Sequence, residues 1–475
     1  MLDILFINPP SPDEFIYIRD INRSGRRSSE RSIWPQTSMA YPAAILRDAG
    51  YSVDLIDCIA SEYDWDFVKD YMKEHKPRWI VTNPISSIVT NDLYASYLAK
   101  TVGAKSIAAG PHVTALPKET LNEYPSLDFV ICREIEGTIL ELIKTVEAKG
   151  DLSSVQGICY RNHDGDPVVT QERPYIEDLD SLPIPTHDLL PVDKHRLPFI
   201  GGNYTFVLHS RGCPFPCNYC RQPIMWGRHV RKRSAESIFN ELVHLSKMGI
   251  TNIMFHSDTF TISKQIVIDL CKMIVDANLD IRWICNSRVD TIDEEMLSWM
   301  KKAGCWMIAF GIESGSNDVL QAAEKGGKAT VELARETGLK TKKAGIKVWG
   351  YFIMGVLGET KESMKQTMDF ACSLPLDLAN FAVGAPYPGT KFNKVVTENG
   401  WLNIESWEDF DQNYSAVVNY PDLSSDDIRN GIRKAYLKFY MHPVRALRTM
   451  KMINDPSEFK QLAQIGLDHF KIWGS

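Results

Sequence analysis

The sequence predicts an α/β protein built from two successive parallel-sheet domains. A doubly wound, Rossmann-like domain is expected over residues 1–150 and a partial (β/α)6 barrel over 201–390, with a linker at 151–200 and a C-terminal mainly helical region at 391–475. Three observations predict this. Short Val- and Ile-rich segments that end at turn residues alternate with helix-period segments through the first part of the chain, which is the pattern of a parallel sheet covered on both faces. The alternation resumes near residue 203 with six longer units, as a (β/α) barrel requires. Finally, 475 residues are more than one compact core usually holds.

In the first domain, residues 2–8, 52–57, 79–83, 105–109 and 129–132 read as strands, and 39–49, 64–74 and 92–102 as helices. Ligands of doubly wound folds lie beyond the carboxyl ends of the strands. Those ends carry Asn8-Pro9-Pro10, Asn83-Pro84-Ile85-Ser86-Ser87 and Gly110-Pro111-His112. Further on, Asn162-His163-Asp164-Gly165-Asp166-Pro167 reads as a hairpin turn. Leu182-Pro183-Ile184-Pro185 reads as extended, because each proline drives its predecessor out of the helical region. The barrel strands are expected at 204–209, 252–255, 281–286, 306–311, 348–353 and 381–384, with helices such as 235–248, 263–277 and 294–303 between them. Its site, too, belongs at the carboxyl ends.

Composition excludes several classes. Apolar residues at 44% and charged residues at 24% are globular values. A formal charge of −7 argues against a nucleic-acid partner. No stretch approaches eighteen consecutive apolar residues, so no membrane span is expected. The start, Met1-Leu2-Asp3-Ile4-Leu5-Phe6-Ile7, lacks the basic flank and long apolar core of a secretory signal, and a cytoplasmic location follows as the expectation. Most of the ten cysteines stand alone in apolar segments, where a free thiol behaves as a small hydrophobe.

Three cysteines cluster. In His209-Ser210-Arg211-Gly212-Cys213-Pro214-Phe215-Pro216-Cys217-Asn218-Tyr219-Cys220-Arg221 the spacing is C-x3-C-x2-C, directly after a strand. Thiolates suit soft metal centres, and a [4Fe–4S] cluster takes four ligands, so three local cysteines leave one iron open for chemistry. Structural zinc would show a second C-x2-C pair downstream, and the sequence has none.

This motif resembles that of the radical S-adenosylmethionine (SAM) superfamily, and the resemblance continues through the barrel. It implies that Cys213, Cys217 and Cys220 hold the cluster, and that SAM chelates the open iron and is cleaved by one electron to a 5′-deoxyadenosyl radical. Tyr219 matches the aromatic that lies against the adenine. Phe255-His256-Ser257-Asp258-Thr259-Phe260 is similar to the acid-bearing end of the second strand, which makes Asp258 a SAM-facing candidate. Arg288 in Asn286-Ser287-Arg288 ends the third strand and is a cofactor-binding candidate there. Gly311 and Glu313 in Gly311-Ile312-Glu313-Ser314-Gly315 resemble the ribose-contacting motif, and Gly355-Val356-Leu357-Gly358-Glu359-Thr360 the glycine-rich segment after the fifth strand. Asp258 and Glu313 are the catalytic candidates.

The preceding doubly wound domain, Gly110-Pro111-His112-Val113-Thr114 and the late Ala385-Pro386-Tyr387-Pro388-Gly389-Thr390 together resemble the cobalamin-binding branch of that superfamily. The resemblance implies that Asn8, Ser86, Ser87, Gly110 and His112 lie at the cobalamin site. No D-x-H-x-x-G motif is present, so cobalamin is expected without an imidazole ligand on cobalt. Relatives of this branch often show Gly-Glu-Gly-Glu where this chain has Cys132-Arg133-Glu134-Ile135-Glu136-Gly137.

The implied activity is modification of an unactivated carbon of a small molecule or lipid, by methyl transfer or by radical ring formation or rearrangement. A one-electron reductant such as a flavodoxin or ferredoxin is the implied partner. The alternatives are a radical dehydratase or cyclase with a vestigial cobalamin domain and, in another class, a non-enzymatic cobalamin carrier or sensor. A methylthiotransferase would need three further cysteines in the first domain, where only Cys58 and Cys132 occur. Arg19, Arg23, Arg26, Arg27 and Arg31 read as a solvated loop, with a lid over an anionic ligand as the alternative. Arg433, Lys434, Lys438, Arg445, Arg448 and Lys451 read as the outer face of a packed helix, with peripheral membrane contact as the alternative. His209 reads as a structural residue.

Overall fold

The computed structural model describes residues 2–19, 25–28, 30–197, 199–200, 203–413, 415–450, 452 and 464–465. They fall into two compact units. The first takes the chain up to Ser28, Ile33–His195 and the late segment Arg221–Gly227; the second takes Arg196–Cys220 and the chain from Arg228 onward, with the short stretch Ser29–Ser32.

The first unit is a seven-stranded sheet of β1 (Ile4–Asn8), β2 (Val53–Asp57), β3 (Trp79–Thr82), β4 (Lys105–Ala109), β5 (Phe129–Ile131), β6 (Ile158–Arg161) and β7 (Pro167–Val169), in the order β2-β1-β3-β4-β5-β6-β7. The first five pair in parallel. β1 is paired on both sides and buried at all five positions, so it is an almost unbroken apolar run rather than an alternating one. The strand order reverses between β1 and β3, which is where a flavodoxin-like sheet opens its ligand crevice.

The stretch 151–200 is therefore more than a linker. β6 and β7 add an antiparallel hairpin to the edge of the parallel sheet. Its turn is the expected one: Asn162 Oδ1 accepts from the Asp164 and Asp166 amides, and Gly165 takes φ +89°. The late helix Gln222–Trp226 packs on the short helix Pro111–Ala115 within this same unit.

The second unit is an all-parallel six-stranded sheet of β8 (Tyr204–Leu208), β9 (Asn252–His256), β10 (Arg282–Ser287), β11 (Cys305–Glu313), β12 (Lys347–Met354) and β13 (Leu378–Val383), in sequential order. An open barrel leaves an edge of unpaired backbone groups. Here the helix Ser425–Tyr440 covers it: the Tyr436 hydroxyl accepts from Phe381 N at 3.2 Å, and the Tyr440 hydroxyl accepts from Ala379 N at 3.1 Å and donates to Ala379 O at 2.7 Å. Ile428, Ile432, Ala435 and Phe439 form its buried stripe, while Arg433 and Lys434 face out. Arg445 does not join them. It is buried over the Phe439 ring at 4.3 Å and donates to the carbonyls of Ala371 and Cys372, at the end of the helix Lys361–Ser373. Lys451 lies outside the described residues. Among the described residues, no helix is long and apolar enough to cross a membrane.

Candidate cluster and cofactor sites

Every barrel residue singled out from the sequence lies at the carboxyl edge of the second sheet. The loop 212–220 leaves β8 after the short strand Ser210–Arg211, and Gly212 begins it at φ +87°. Cys213, Cys217 and Cys220 are in no disulfide and are half-buried. Burial first, then the carboxylate of Asp258, raises the Cys213 thiol above its ordinary value. Tyr219 is half-buried and packs against two buried clusters, one that includes Ala385, Tyr387 and Phe392 and one of Val319, Ala323 and Val356. Burial raises its hydroxyl, and Glu313, Cys217 and Cys220 add to the effect. The structure thus brings Cys213, Cys217, Cys220, Tyr219, Asp258 and Glu313 into one neighbourhood.

Glu313 is held there by strain. It takes φ +70°, a region that costs a non-glycine residue about 1–2 kcal/mol, and the β11–β12 register slips between Gly311 and Glu313. The slip turns its carboxylate back over Gly311, where an added Cβ would come within 2.5 Å of Glu313 Oε1 and 3.1 Å of Lys325 Nζ. Lys325 Nζ donates to Glu313 Oε1 at 2.6 Å, with both side chains largely buried. Lys325 is a site residue that sequence reasoning missed. Its one sequence signal is its position before Gly326-Gly327, both in left-handed backbone.

Arg288 is placed beside the cysteines but is already engaged, by Asp290 and by the Phe215 ring at 3.5 Å. Glu359 is buried at the end of the glycine-rich segment, where Oε2 accepts from Gly355 N at 3.2 Å and Oε1 from the Ser363 hydroxyl. Burial lifts its carboxyl to about 7. His209 is fully buried against Phe260, at 4.6 Å between ring centroids, and burial pushes it down to about 3.

In the first unit, the edge loops surround the β1–β3 switch point. Gly110 takes φ +128°, and a Cβ there would lie 2.4 Å from Asn83 Oδ1. His112 Nδ1 lies 3.0 Å from Ser86 Oγ, and burial lowers its imidazole to about 4, with Arg221 adding to the shift. Ser87 Oγ is buried with no hydrogen-bond partner among the described residues. Asn8 sits below these loops. Its Nδ2 donates to Asp57 Oδ1 at 2.6 Å and its Oδ1 accepts from Arg19 at 3.3 Å.

Arg19 corrects the solvated-loop expectation. It is fully buried and pairs with Asp92 at 2.8 Å, because the chain after β1 turns back across the sheet edge and brings the guanidinium inside. Arg27 is half-buried over the Phe15 ring at 4.9 Å, and Arg26 lies 6.0 Å from the Trp34 ring. Arg23 lies outside the described residues.

Comparison with known proteins decides the family. Residues 207–371 match the radical SAM superfamily and residues 27–143 the B12 binding domain. An uncharacterised methyltransferase of Pyrococcus horikoshii is 32% identical over 446 residues, spanning 93% of each chain. The chain is a B12-dependent radical SAM enzyme. The anaerobic magnesium-protoporphyrin IX monomethyl ester cyclase of Rubrivivax gelatinosus is 27% identical over 86% of this chain and 74% of its own. Among solved structures, the radical SAM methyltransferase TsrM of Kitasatospora setae, with cobalamin and a [4Fe–4S] cluster bound, superposes with a TM-score of 0.69 at 14% identity, over 96% of this chain and 90% of its own. That likeness is one of fold.

The radical SAM domain brings a [4Fe–4S] cluster and SAM, the B12-binding domain brings cobalamin, and the residues present fit all three. Three cysteine thiols on one short loop, none in a disulfide, are a soft donor set. Among the described residues, no three His, Cys, Asp or Glu side chains converge on a point as a single metal ion demands. Thiolates that each bind a different iron of a cluster need no such convergence. The Glu313–Lys325 pair offers an acceptor and a donor to a polar, charged ligand. In the B12-binding unit, Ser87 Oγ is an orphaned buried hydroxyl of the kind a bound group satisfies, and Gly110 leaves backbone open to close approach.

Proposed function

We propose that this B12-dependent radical SAM enzyme is a methyltransferase that acts on an unactivated carbon of a small molecule or lipid and draws single electrons from a flavodoxin- or ferredoxin-type reductant. The observation that carries the proposal is the gathering of Cys213, Cys217, Cys220, Tyr219, Asp258 and Glu313 at one sheet edge, in a chain that also has a B12-binding unit. When bound, the cluster and SAM supply a carbon-centred radical and cobalamin supplies methyl-transfer chemistry.

The protein's own residues bind, orient and shield. Cys213, Cys217 and Cys220 would hold three irons, and Tyr219 would lie flat against the adenine. Glu313, aimed by its bulge and fixed by Lys325, would accept from the ribose hydroxyls. Asp258 would meet the amino end of SAM. In the B12-binding unit, Ser86, Ser87, Gly110 and His112 would line the cofactor's tail. The absence of a D-x-H-x-x-G motif is in keeping with a cobalt that takes no protein imidazole.

Methyl transfer is favoured over ring closure because the relative spanning 93% of the chain is named a methyltransferase. The cyclase of Rubrivivax gelatinosus supports ring formation as the second reading. The test is anaerobic reconstitution with cobalamin, a reductant and methyl-labelled SAM, followed by mass spectrometry of extracts of the source cells. Labelled product with S-adenosylhomocysteine and 5′-deoxyadenosine together supports methyl transfer. 5′-Deoxyadenosine alone, with an unlabelled product, supports ring formation. No SAM consumption at all refutes both. Changing Cys213, Cys217 and Cys220 together to Ala should remove about four irons per chain and the broad visible absorbance.

A further inference from the structure

The Cys213–Cys217–Cys220 loop has little regular structure of its own, yet it is held from one side by a single turn, 322–327, at the end of the helix Asn317–Ala322. Asn218 donates through its backbone amide to Ala323 O at 3.1 Å and through Nδ2 to Ala322 O at 2.8 Å. Cys217 Sγ lies 3.5 Å from Lys325 O. Gly326 and Gly327, at φ +64° and +66°, let the turn approach closely. A Cβ on Gly326 would fall 2.6 Å from Pro216, and one on Gly327 would fall 2.3 Å from Asp290 Oδ2, 2.9 Å from the Phe215 ring and 3.0 Å from Arg288 Nη2.

Arg288 closes this arrangement. A guanidinium carries five N–H donors in a fixed plane. Nε donates to Asp290 Oδ1 at 2.8 Å, Nη2 to Asp290 Oδ2 at 3.0 Å and to Gly326 O at 2.8 Å, and Nη1 to Lys325 O at 3.1 Å. Phe215, which stands between the first two cysteines, covers the guanidinium at 3.5 Å from its centre. Among the described residues one donor is left over, on a side chain only 7% exposed. Asp290 is itself tied to the turn, through the amide of Lys328 at 2.8 Å.

We propose that Arg288 is a positioning residue of the cluster loop rather than a group that meets SAM. Its fork fixes the turn, its face fixes Phe215, and together they shape the loop before any iron arrives. The assignment takes the three cysteines as cluster ligands from the proposed function, but the shape of the empty loop can be measured without iron.

The experiment uses the full-length apo protein and two variants. Arg288→Met removes the fork, and Phe215→Leu removes the stack without leaving Asp290 unpaired. In both, maleimide should modify Cys217 about tenfold faster than in the wild type, and amides of 213–220 and 323–327 should lose exchange protection while the barrel helices keep theirs. The double variant should be no worse than the more damaging single one. Arg288→Lys, which keeps the charge but not the planar fork, should not restore protection. After reconstitution, iron content should fall, and the residual reduced cluster should show altered g-values and midpoint potential. The proposal is overturned if Arg288→Met keeps wild-type thiol reactivity and cluster spectra while SAM no longer perturbs the spectrum, since Arg288 would then be a SAM ligand. It is equally overturned if Phe215→Leu leaves Cys217 protected. A wild-type protein that loads no iron would refute the proposed function and leave the apo comparison to decide this point.

Discussion

The Arg19–Asp92 pair lends itself to a quantitative test. Arg19 donates to Asp92 Oδ1 through Nε at 3.0 Å and Nη2 at 2.8 Å, and also to Pro10 O at 3.1 Å and Asn8 Oδ1 at 3.3 Å. Asp92 keeps two further donors, Ile85 N at 3.1 Å and Asn91 Nδ2 at 3.3 Å. The pair therefore ties β1 and its following loop to the segment after β3. Asp92→Leu strands a cation that cannot be deprotonated, and should cost about 3–5 kcal/mol. Arg19→Met strands a carboxylate that can take up a proton, so its cost has a ceiling of about 4 kcal/mol at pH 7, and it should shrink by up to about 2.7 kcal/mol on going to pH 5. The double variant should recover most of the loss, because no charge is then left buried. A two-unit chain need not unfold in one step, so the readout is hydrogen exchange of peptides from β1 and the helix Val89–Thr101 along a urea series. Exchange in Asp92→Leu should rise by about a thousandfold. If both single variants cost under about 1 kcal/mol, or if their losses add in the double variant, the pair does not anchor this edge.

Three other outcomes are expected. Gly311→Ala should push Glu313 and Lys325 off their positions, leaving the iron content intact while weakening SAM binding about tenfold, as read by perturbation of the reduced-cluster spectrum; unchanged binding would mean that the pair is not at the SAM site. Glu359 sits at about 7, above its usual 4.5, so the folded protein holds the extra proton between those values and loses stability as pH rises through them. Glu359→Gln removes that loss, and its advantage over the wild type in urea unfolding should grow by up to about 3 kcal/mol from pH 4.5 to 7.5; a gap independent of pH would contradict the burial argument. His112→Ala should leave the nitrogen coupling of the bound cob(II)alamin spectrum unchanged, whereas coupling that disappears on mutation would make His112 a cobalt ligand.

Much of this architecture is legible in the sequence because parallel strands are apolar runs bounded by turn residues, and the cysteine spacing is local. Polar encounters across long stretches are not. Arg19 meets Asp92 over a separation of 73 residues, and Lys325 meets Glu313 only because a bulge turns the carboxylate back. Charge and exposure are easily confused at this level: Arg19 and Arg445 read as surface groups and are both buried. The hairpin turn at 162–167 is readable, but which sheet edge its strands join depends on β5 having no parallel neighbour on that side. The hydroxyls of Tyr436 and Tyr440 bind a strand edge whose exposure is a property of the whole open barrel.

The return of Arg221–Gly227 to the first unit has a bearing on how the chain is made. A ribosome that has released residue 195 has not yet supplied the helix Gln222–Trp226, which packs on Pro111–Ala115. At about 10 residues per second, that helix follows roughly 3 s later, after all three cysteines have emerged. The first unit thus spends its earliest seconds with one face of Pro111–Ala115 bare, and a fragment cut at residue 195 would keep it bare permanently.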